Sequence, residues 1–253
     1  MVERGAEHRV TGSTAPYYRQ DLARIHHEGF GFHAEAVAPG VLRLLEPVRG
    51  RQVVEIGCGS GLLTKYLVDA GHRVLATDAS PAMVELARDY VPGAQVEQLR
   101  LPDDPVPGAD AVVSVGHPLS YLDDEEQLDR ALAAIANALR PGGVLAFDIC
   151  DVAWGDARRD EPPRVWSGDG WVLITRTCVP EPRWFRREMT MFVRAGELWR
   201  RDDETHDNVL VDTTKLPAVL RQHGVTAEVT SSFGDETLPT GLVAVIGHRR
   251  SSH

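Results

Sequence analysis

Short apolar runs alternate along the chain with longer amphipathic stretches. The runs have the length of strands, and their β-branched residues suit a sheet that is buried on both faces. The first run contains Val53, Val54 and Ile56. The pattern predicts strands at 53–56, 72–77, 94–99, 110–115, 144–149, 225–230 and 242–248.

The amphipathic stretches repeat their apolar residues at the spacing of a helix. In the stretch 62–70, Leu63, Leu67 and Ala70 fall on one face, and Gly71 ends the segment. Helices are predicted at 62–70, 80–90, 123–139 and 213–223. Because strands and helices alternate, the chain is predicted to form an α/β fold.

A glycine-rich turn follows the first predicted strand. Gly57, Gly59 and Gly61 allow the backbone to turn sharply and to lie close to a ligand, because no Cβ blocks the approach. Asp78 ends the next strand, at the edge of the sheet where open α/β folds bind ligands. The dinucleotide-binding form of such a turn, G-x-G-x-x-G, needs glycine where this sequence has Leu62.

Glu55 precedes these glycines, and the resulting motif E-x-G-x-G-x-G resembles that of the class I S-adenosylmethionine-dependent methyltransferases. The resemblance covers residues 41–149 and continues more loosely to the end of the chain. It implies a Rossmann-like sheet that is mostly parallel, with an antiparallel last strand and helices on both faces. It also implies an N-terminal helical cap, an inserted antiparallel β lid, and S-adenosylmethionine as cofactor, with S-adenosylhomocysteine as product.

The resemblance assigns roles within the cofactor site. Backbone N–H groups at the helix start attract the methionine carboxylate, and Asp78 accepts hydrogen bonds from both ribose hydroxyls. Glu55 helps to anchor the ammonium group, directly or through water. The loop 99–102 lies along the adenine, and a tyrosine of the cap faces the carboxylate or the sulfonium. The residues expected to contact the cofactor are Tyr17, Glu55, Gly57, Cys58, Gly59, Gly61, Asp78, Ala79, Met83, Leu99, Arg100, Leu101 and Val115.

Two segments lie outside the minimal core, which is assigned to residues 41–150 and 207–253. Residues 1–40 are expected to form the helical cap. Residues 151–206 contain all five tryptophans and are expected to form a three-stranded antiparallel sheet that serves as a substrate lid. The tryptophans fit either the small core of that sheet or an aromatic pocket for an organic substrate.

His117 follows the fourth predicted strand, beside the place where the family brings the methyl group and the acceptor together. The sequence there lacks the D/N-P-P-Y/F motif of adenine and amide N-methyltransferases, which argues against nucleobase or glutamine methylation. His117 could act as a base for a hydroxyl acceptor or simply line the pocket. The residues expected to contact the substrate are Tyr18, His26, Phe30, His117, Tyr121, Trp154 and His206.

The basic and aromatic cluster at 183–187 has two interpretations. It could be lid surface, or it could guide an anionic substrate. His26 and His206 likewise have an alternative role as packing or edge residues of the cap and the lid.

The composition of the chain limits the kinds of molecule that it is expected to bind. The 253-residue chain has a formal net charge of −10 and a pI near 5.5. Because nucleic acids and anionic membranes attract basic surfaces, neither is expected as a partner. The sequence lacks an apolar run of membrane-spanning length, a secretory signal, and the H-E-x-x-H and C-x-x-C motifs of metal sites. We therefore expect a cytoplasmic monomer or homodimer without a bound metal.

These features predict transfer of a methyl group to a nitrogen or an oxygen of a small organic molecule, by in-line displacement, in a biosynthetic or tailoring pathway. The resemblance extends to bacterial N-methyltransferases of amino-sugar and antibiotic pathways. Two alternatives remain at this point, a nicotinamide-dependent oxidoreductase and a cofactor-binding protein without turnover.

Overall fold

The computed structural model describes residues 17–251, so residues 1–16 of the predicted cap lie outside the described residues. The strands are β1 (Gln52–Ile56), β2 (Arg73–Asp78), β3 (Gln95–Gln98), β4 (Ala109–Ser114), β5 (Leu139–Cys150), β6 (Arg164–Gly168), β7 (Trp171–Cys178), β8 (Trp184–Ala195), β9 (Leu198–Val209), β10 (Val225–Thr230) and β11 (Leu242–Arg249). The α-helices are α1 (Gln20–Gly29), α2 (Phe32–Leu45), α3 (Leu62–Asp69), α4 (Pro81–Tyr90), α5 (Glu125–Ala138), α6 (Val152–Asp156) and α7 (Leu216–Gln222).

Seven strands form the central sheet, in the order β10, β11, β5, β4, β1, β2 and β3. The strands β1 to β5 pair in parallel, whereas β11 runs antiparallel to both of its neighbours. The predicted Rossmann-like sheet with an antiparallel last strand is therefore confirmed. The strands β2 and β3 extend the sheet on one side of β1, whereas β4 and β5 extend it on the other side. The direction in which successive strands are added therefore reverses beside β1. Open α/β sheets bind ligands at such a point.

Helices cover both faces of the central sheet. Val53 of β1 packs in one apolar cluster with Val41 of α2 and Leu67 of α3. Its neighbour Val54 points to the opposite face and packs in a second cluster with Leu132 of α5. Because neither face meets water, these strands are apolar at nearly every position. No helix within residues 17–251 is long and apolar enough to cross a membrane.

A second sheet follows β5 and contains four antiparallel strands in the order β6, β7, β8 and β9. The sequence predicts three strands here, which is wrong. Sequence periodicity does not reveal β6, because all five of its residues are exposed and no buried face imposes an alternation. The strand β9 continues past the predicted end of the lid at residue 206, and α2 crosses the predicted cap boundary at residue 40.

The helix α1 packs on the second sheet. Leu22 and Ile25 of α1 share an apolar cluster with Trp171 of β7 and Met191 of β8. The Trp171 indole N–H donates to Glu28 Oε2 at 2.7 Å, which joins the same two elements. The cap and the second sheet are therefore one packed unit, and Trp171 is a core residue of that unit.

We expect Ile25→Ala to lower the free energy of unfolding by about 2–5 kcal/mol, because it leaves a cavity at a fully buried position between α1 and the second sheet. Gln20→Ala, at an exposed position of the same helix, should change that free energy by less than about 0.5 kcal/mol. Urea unfolding followed by circular dichroism measures both. Equal losses in the two variants would contradict the packing of α1 on the sheet.

Candidate active site

A cavity of about 570 Å³ opens at the carboxyl ends of β1, β2 and β4. The predicted cofactor residues that line it are Tyr17, Glu55, Gly57, Cys58, Gly59, Asp78, Ala79, Met83, Leu99, Arg100, Leu101 and Val115. The predicted substrate residues that line it are Tyr18, His26, Phe30, His117, Tyr121 and Trp154. Gly61 and His206 lie outside its lining. The structure thus brings residues from the core, the cap and the second sheet to one cavity.

Two glycines of the loop after β1 are required by its geometry. Gly57 has a φ of +68°, and a Cβ there would lie 2.3 Å from side-chain carbons of Pro118. Gly61 has a φ of +87° at the start of α3, and a Cβ there would lie 3.0 Å from Cγ2 of Val91. Glycine adopts these conformations without steric cost. Gly61 therefore permits the conformation of the loop on the side that faces Val91, and it does not line the cavity.

The carboxylate of Asp78 joins the loop after β1 to the turn after β2. Its Oδ2 accepts a hydrogen bond from the backbone N–H of Gly59 at 2.9 Å, and its Oδ1 accepts one from the backbone N–H of Ser80 at 2.8 Å. Burial raises the pKa of Asp78, and these N–H donors oppose the rise. Because a carboxylate has about four lone-pair positions, both oxygens keep capacity for a ligand.

Glu55 is the second buried carboxyl group at the cavity. Its Oε2 accepts a hydrogen bond from the Thr64 hydroxyl at 2.6 Å. Burial raises the pKa of Glu55 to about 8, and the nearby charge of Asp78 adds to the rise, while the Thr64 hydrogen bond opposes it. Glu55 therefore holds its proton at neutral pH unless a positive charge lies beside it.

Residues 17–19, which we call the strap, connect the core to the second sheet. The backbone N–H groups of Tyr18 and Arg19 donate to the two carboxylate oxygens of Glu204, each at 2.9 Å. From the core, the Ser80 hydroxyl donates to the carbonyl oxygen of Tyr18 at 2.7 Å. Tyr18 has a φ of +56°, a conformation that a bulky residue keeps only where its surroundings impose it.

Both tyrosines of the strap pack around Tyr121. The hydroxyl oxygens of Tyr18 and Tyr121 are 3.1 Å apart, and the ring centroids of Tyr17 and Tyr121 are 5.1 Å apart. His206 lies fully buried behind these rings, with Nδ1 3.3 Å from the Tyr121 hydroxyl and Nε2 2.9 Å from Glu204 Oε2. His206 therefore supports the tyrosines from behind, although the sequence predicts that it contacts the substrate.

Sequence reasoning missed Glu204. The carboxylate lies 2.9 Å from His206 within β9 and binds the strap, which is more than 180 residues away in the chain. The signal that could have revealed it is the alternation along β9, which places Glu204 and His206 on the same face.

The imidazoles of His117 and His26 are neutral groups at the cavity. Burial lowers the pKa of His117 to about 3 and that of His26 to about 4, and the positive charge of Arg187 is the second cause in both. The ring of His117 stacks on that of Tyr121, with centroids 5.8 Å apart and planes 5° apart. Within residues 17–251, the buried Nδ1 of His117 has no hydrogen-bond partner. This nitrogen is available to a ligand.

Asp148 and His33 also belong to the site, although the sequence prediction omits them. The fully buried Asp148 accepts hydrogen bonds from the backbone N–H groups of Gly116 at 3.1 Å and His117 at 2.5 Å, and from His33 Nε2 at 2.8 Å. Burial disfavours the cationic form of His33, but Asp148 outweighs burial and raises the pKa. The sequence signal for Asp148 is an acidic residue inside the apolar run 144–149.

The arginines of the cluster at 183–187 have different surroundings. Arg183 pairs with Glu125, and Arg186 pairs with Asp207 at 2.7 Å. Arg187, in contrast, lines the cavity and donates a hydrogen bond to the Tyr121 hydroxyl.

The cavity therefore has two chemically different sides. Asp78 and Glu55 provide carboxyl groups near the glycine loop, while His117 and Trp154, whose ring centroids are 5.7 Å apart, belong to an aromatic side closed by the second sheet and α1. In the part of the chain that the structure describes, no group of three or more His, Cys, Asp or Glu side chains is placed to hold a metal ion.

Comparison with known proteins agrees with this geometry. Residues 53–143 match a family model described as a methyltransferase domain. A putative methyltransferase of Geobacillus sp. (strain WCH70) is 26% identical over 200 residues, a match that covers 74% of this chain and 78% of that protein.

Two solved structures have the same architecture. The sugar N-methyltransferase KedS8 from Streptoalloteichus sp. ATCC 53650 is 25% identical with a TM-score of 0.77, over 96% of this chain and 100% of that chain. An S-adenosylmethionine-dependent methyltransferase from Clostridium acetobutylicum ATCC 824 is 16% identical, also with a TM-score of 0.77, over 91% of this chain and 98% of that chain. The chain therefore contains a methyltransferase domain at residues 53–143, and its whole fold is similar to that of S-adenosylmethionine-dependent methyltransferases.

Proposed function

We propose that this enzyme methylates a nitrogen atom of a small polar molecule of the sugar class, in a tailoring pathway. The observation that carries the choice of nitrogen is the neutral, aromatic character of the cavity around His117. The similarity to a sugar N-methyltransferase over nearly the whole chain supports both the acceptor atom and the class of acceptor.

The residues near the glycine loop fit S-adenosylmethionine, which supplies an electrophilic methyl group on a sulfonium when it is bound. Asp78 keeps lone pairs for the two ribose hydroxyls beyond those used by Gly59 and Ser80. Glu55 would ionise beside the ammonium group. We assign the adenine to the loop that contains Leu99 and Leu101, two apolar residues of the cavity lining.

An amine acceptor suits the residues around His117 better than a hydroxyl acceptor does. A neutral amine attacks with its lone pair and leaves the transfer step as an ammonium ion, so it needs no base. A hydroxyl must lose its proton, and an imidazole with a pKa near 3 is a weak base for that task. His117, Tyr121 and Trp154 therefore orient the acceptor and exclude water, and the rate comes from positioning.

Asp78→Ala should weaken the binding of S-adenosylhomocysteine by about tenfold to hundredfold, because hydrogen bonds to a charged acceptor contribute roughly 1.5–3 kcal/mol. The matched control is Asp89→Ala, at an exposed position on α4, which should bind normally. Isothermal titration calorimetry gives both affinities. Unchanged affinity in Asp78→Ala would refute the assignment of the ribose.

The affinity for S-adenosylhomocysteine should rise with pH between 6 and 8. The pKa of Glu55 in the folded protein is about 8, above the ordinary value of 4.5, because burial favours the protonated carboxyl group. The protonated group stabilises the fold relative to the ionised one, and this stabilisation is lost as the pH rises toward 8. The ligand's ammonium pairs with the ionised form, so binding releases a proton, and affinity gains up to about tenfold per pH unit. Titrations in two buffers of different ionisation enthalpy detect that proton. In Glu55→Gln both effects should disappear; an equally steep pH dependence there would assign the proton to another group.

An acceptor panel of amino sugars and their hydroxyl counterparts tests the choice of nitrogen, with formation of S-adenosylhomocysteine as the signal. We expect turnover of amines at a rate that rises with pH as the amine loses its proton. His117→Gln should lower kcat/KM without changing the shape of that pH profile. Turnover of a hydroxyl compound that falls by roughly 10²–10⁴-fold in His117→Gln would instead identify His117 as a general base for O-methylation.

A further inference from the structure

Arg187 is an inward-pointing charge in an otherwise apolar row. Side chains alternate along a strand, and the inward positions of β8 on either side of Arg187 are occupied by Phe185, Met189, Met191 and Val193, all buried. Arg187 itself is half-buried and lines the cavity, so the desolvated part of its guanidinium needs a polar partner or a ligand.

No protein carboxylate offsets this charge. Within residues 17–251, no Asp or Glu oxygen lies within 4.0 Å of the guanidinium of Arg187, whereas the adjacent Arg186 makes two hydrogen bonds to Asp207 at 2.7 and 2.9 Å. Arg187 donates to the Tyr121 hydroxyl and also interacts with the Tyr18 hydroxyl, so its partners are phenol groups and not carboxylates. Its Nε is buried and has no hydrogen-bond partner among these residues.

The aromatic and imidazole groups around Arg187 are neutral and do not neutralise its positive charge. Tyr121 stays neutral because burial raises its pKa well above the ordinary range, although the charge of Arg187 opposes the rise. His26 and His117 are neutral for the same reason, burial, with Arg187 adding to the effect. Two buried carboxylates lie in this region, and both have other partners. Asp148 accepts hydrogen bonds from His33 and two backbone N–H groups, and Glu204 accepts from the backbone of the strap and contacts His206. Among the described residues, the guanidinium of Arg187 therefore has no directly paired carboxylate.

We infer that Arg187 binds an anionic group of the acceptor, a carboxylate or a phosphate ester, so that the substrate is a small molecule that carries both a methyl-accepting atom and a negative charge. The guanidinium fork matches either group, and its free Nε provides a donor for it. The inference rests on the proposed function for the presence of an acceptor on this side of the cavity. It adds the charge of that acceptor and the residue that recognises it.

Arg187 could alternatively hold the carboxylate of the cofactor, and the experiment must separate the two. We would saturate the protein with S-adenosylhomocysteine, which fills the cofactor's carboxylate site, and then add sodium phosphate or sodium acetate at constant ionic strength. The histidine ring protons of His26 and His117, followed by NMR, report on an anion beside Arg187. Phosphate and acetate distinguish a phosphate ester from a carboxylate as the preferred group.

The variants are Arg187→Gln, Arg187→Lys and a matched control, Arg186→Gln, whose side chain lies on the opposite face of β8. We expect saturable shifts in the wild type and in Arg186→Gln, and affinity for the anion lower by about tenfold or more in Arg187→Gln. Arg187→Lys keeps the positive charge but loses the paired donors of the guanidinium, so it should bind the anion more weakly than the wild type does. It also serves as the test variant should Arg187→Gln fail to fold.

Three results would overturn the inference. These are the absence of a saturable shift in the wild type, the same shift in Arg187→Gln, and a loss of S-adenosylhomocysteine affinity of tenfold or more in Arg187→Gln with normal affinity in Arg186→Gln. If the proposed function is wrong, the wild type will bind no S-adenosylhomocysteine, and this result is distinct from the three above. The anion titration is also run on the protein without S-adenosylhomocysteine, so it tests anion binding by Arg187 even if the proposed function fails.

Discussion

The carboxylate of Asp78 is the interaction on which the site depends. It holds the backbone of Gly59 in the loop after β1 and that of Ser80 in the turn after β2, two segments that meet only at this edge of the sheet. Ser80 then uses its hydroxyl both to cap α4 at Met83 and to bind the carbonyl of Tyr18. One carboxylate therefore fixes the glycine loop, the start of a helix and one side of the strap. Positioning of this kind is what a displacement reaction needs from a protein.

The same series of hydrogen bonds continues to the aromatic side of the cavity. Glu204 binds the backbone of the strap and contacts His206, His206 contacts the hydroxyl of Tyr121, and Arg187 donates to that hydroxyl. The glycine-loop side and the aromatic side of the cavity are thus connected through polar contacts that burial strengthens. Burial also explains why the neutral forms of Glu55, His26 and His117 prevail at pH 7, and the charge of Arg187 favours the neutral form of both histidines as well.

The sequence reveals the core and the glycine loop because both obey local rules. Strands buried on two faces are apolar, and a tight loop with several positive φ angles strongly favours glycine. The sequence is silent on contacts between distant segments, such as the strap with Glu204, because no local pattern encodes a partner more than 180 residues away. It also leaves open which of the clustered arginines turns inward. The direction of Arg187 follows from the register of β8, and the exposed β6 shows how weak the local signal is in that sheet.

The features that the sequence reveals and those that it does not lie in different parts of the fold. The family match spans residues 53–143, which contain Glu55, the glycine loop, Asp78 and His117, whereas the second sheet begins at Arg164. The part of the chain that matches the family therefore contains the glycine-loop side of the cavity. The aromatic side combines His117 and its neighbours after β4 with residues of the strap, α1, α2, α6 and β8. The glycine motif does not specify the acceptor, so the chemistry of the acceptor has to be inferred from side chains such as Arg187.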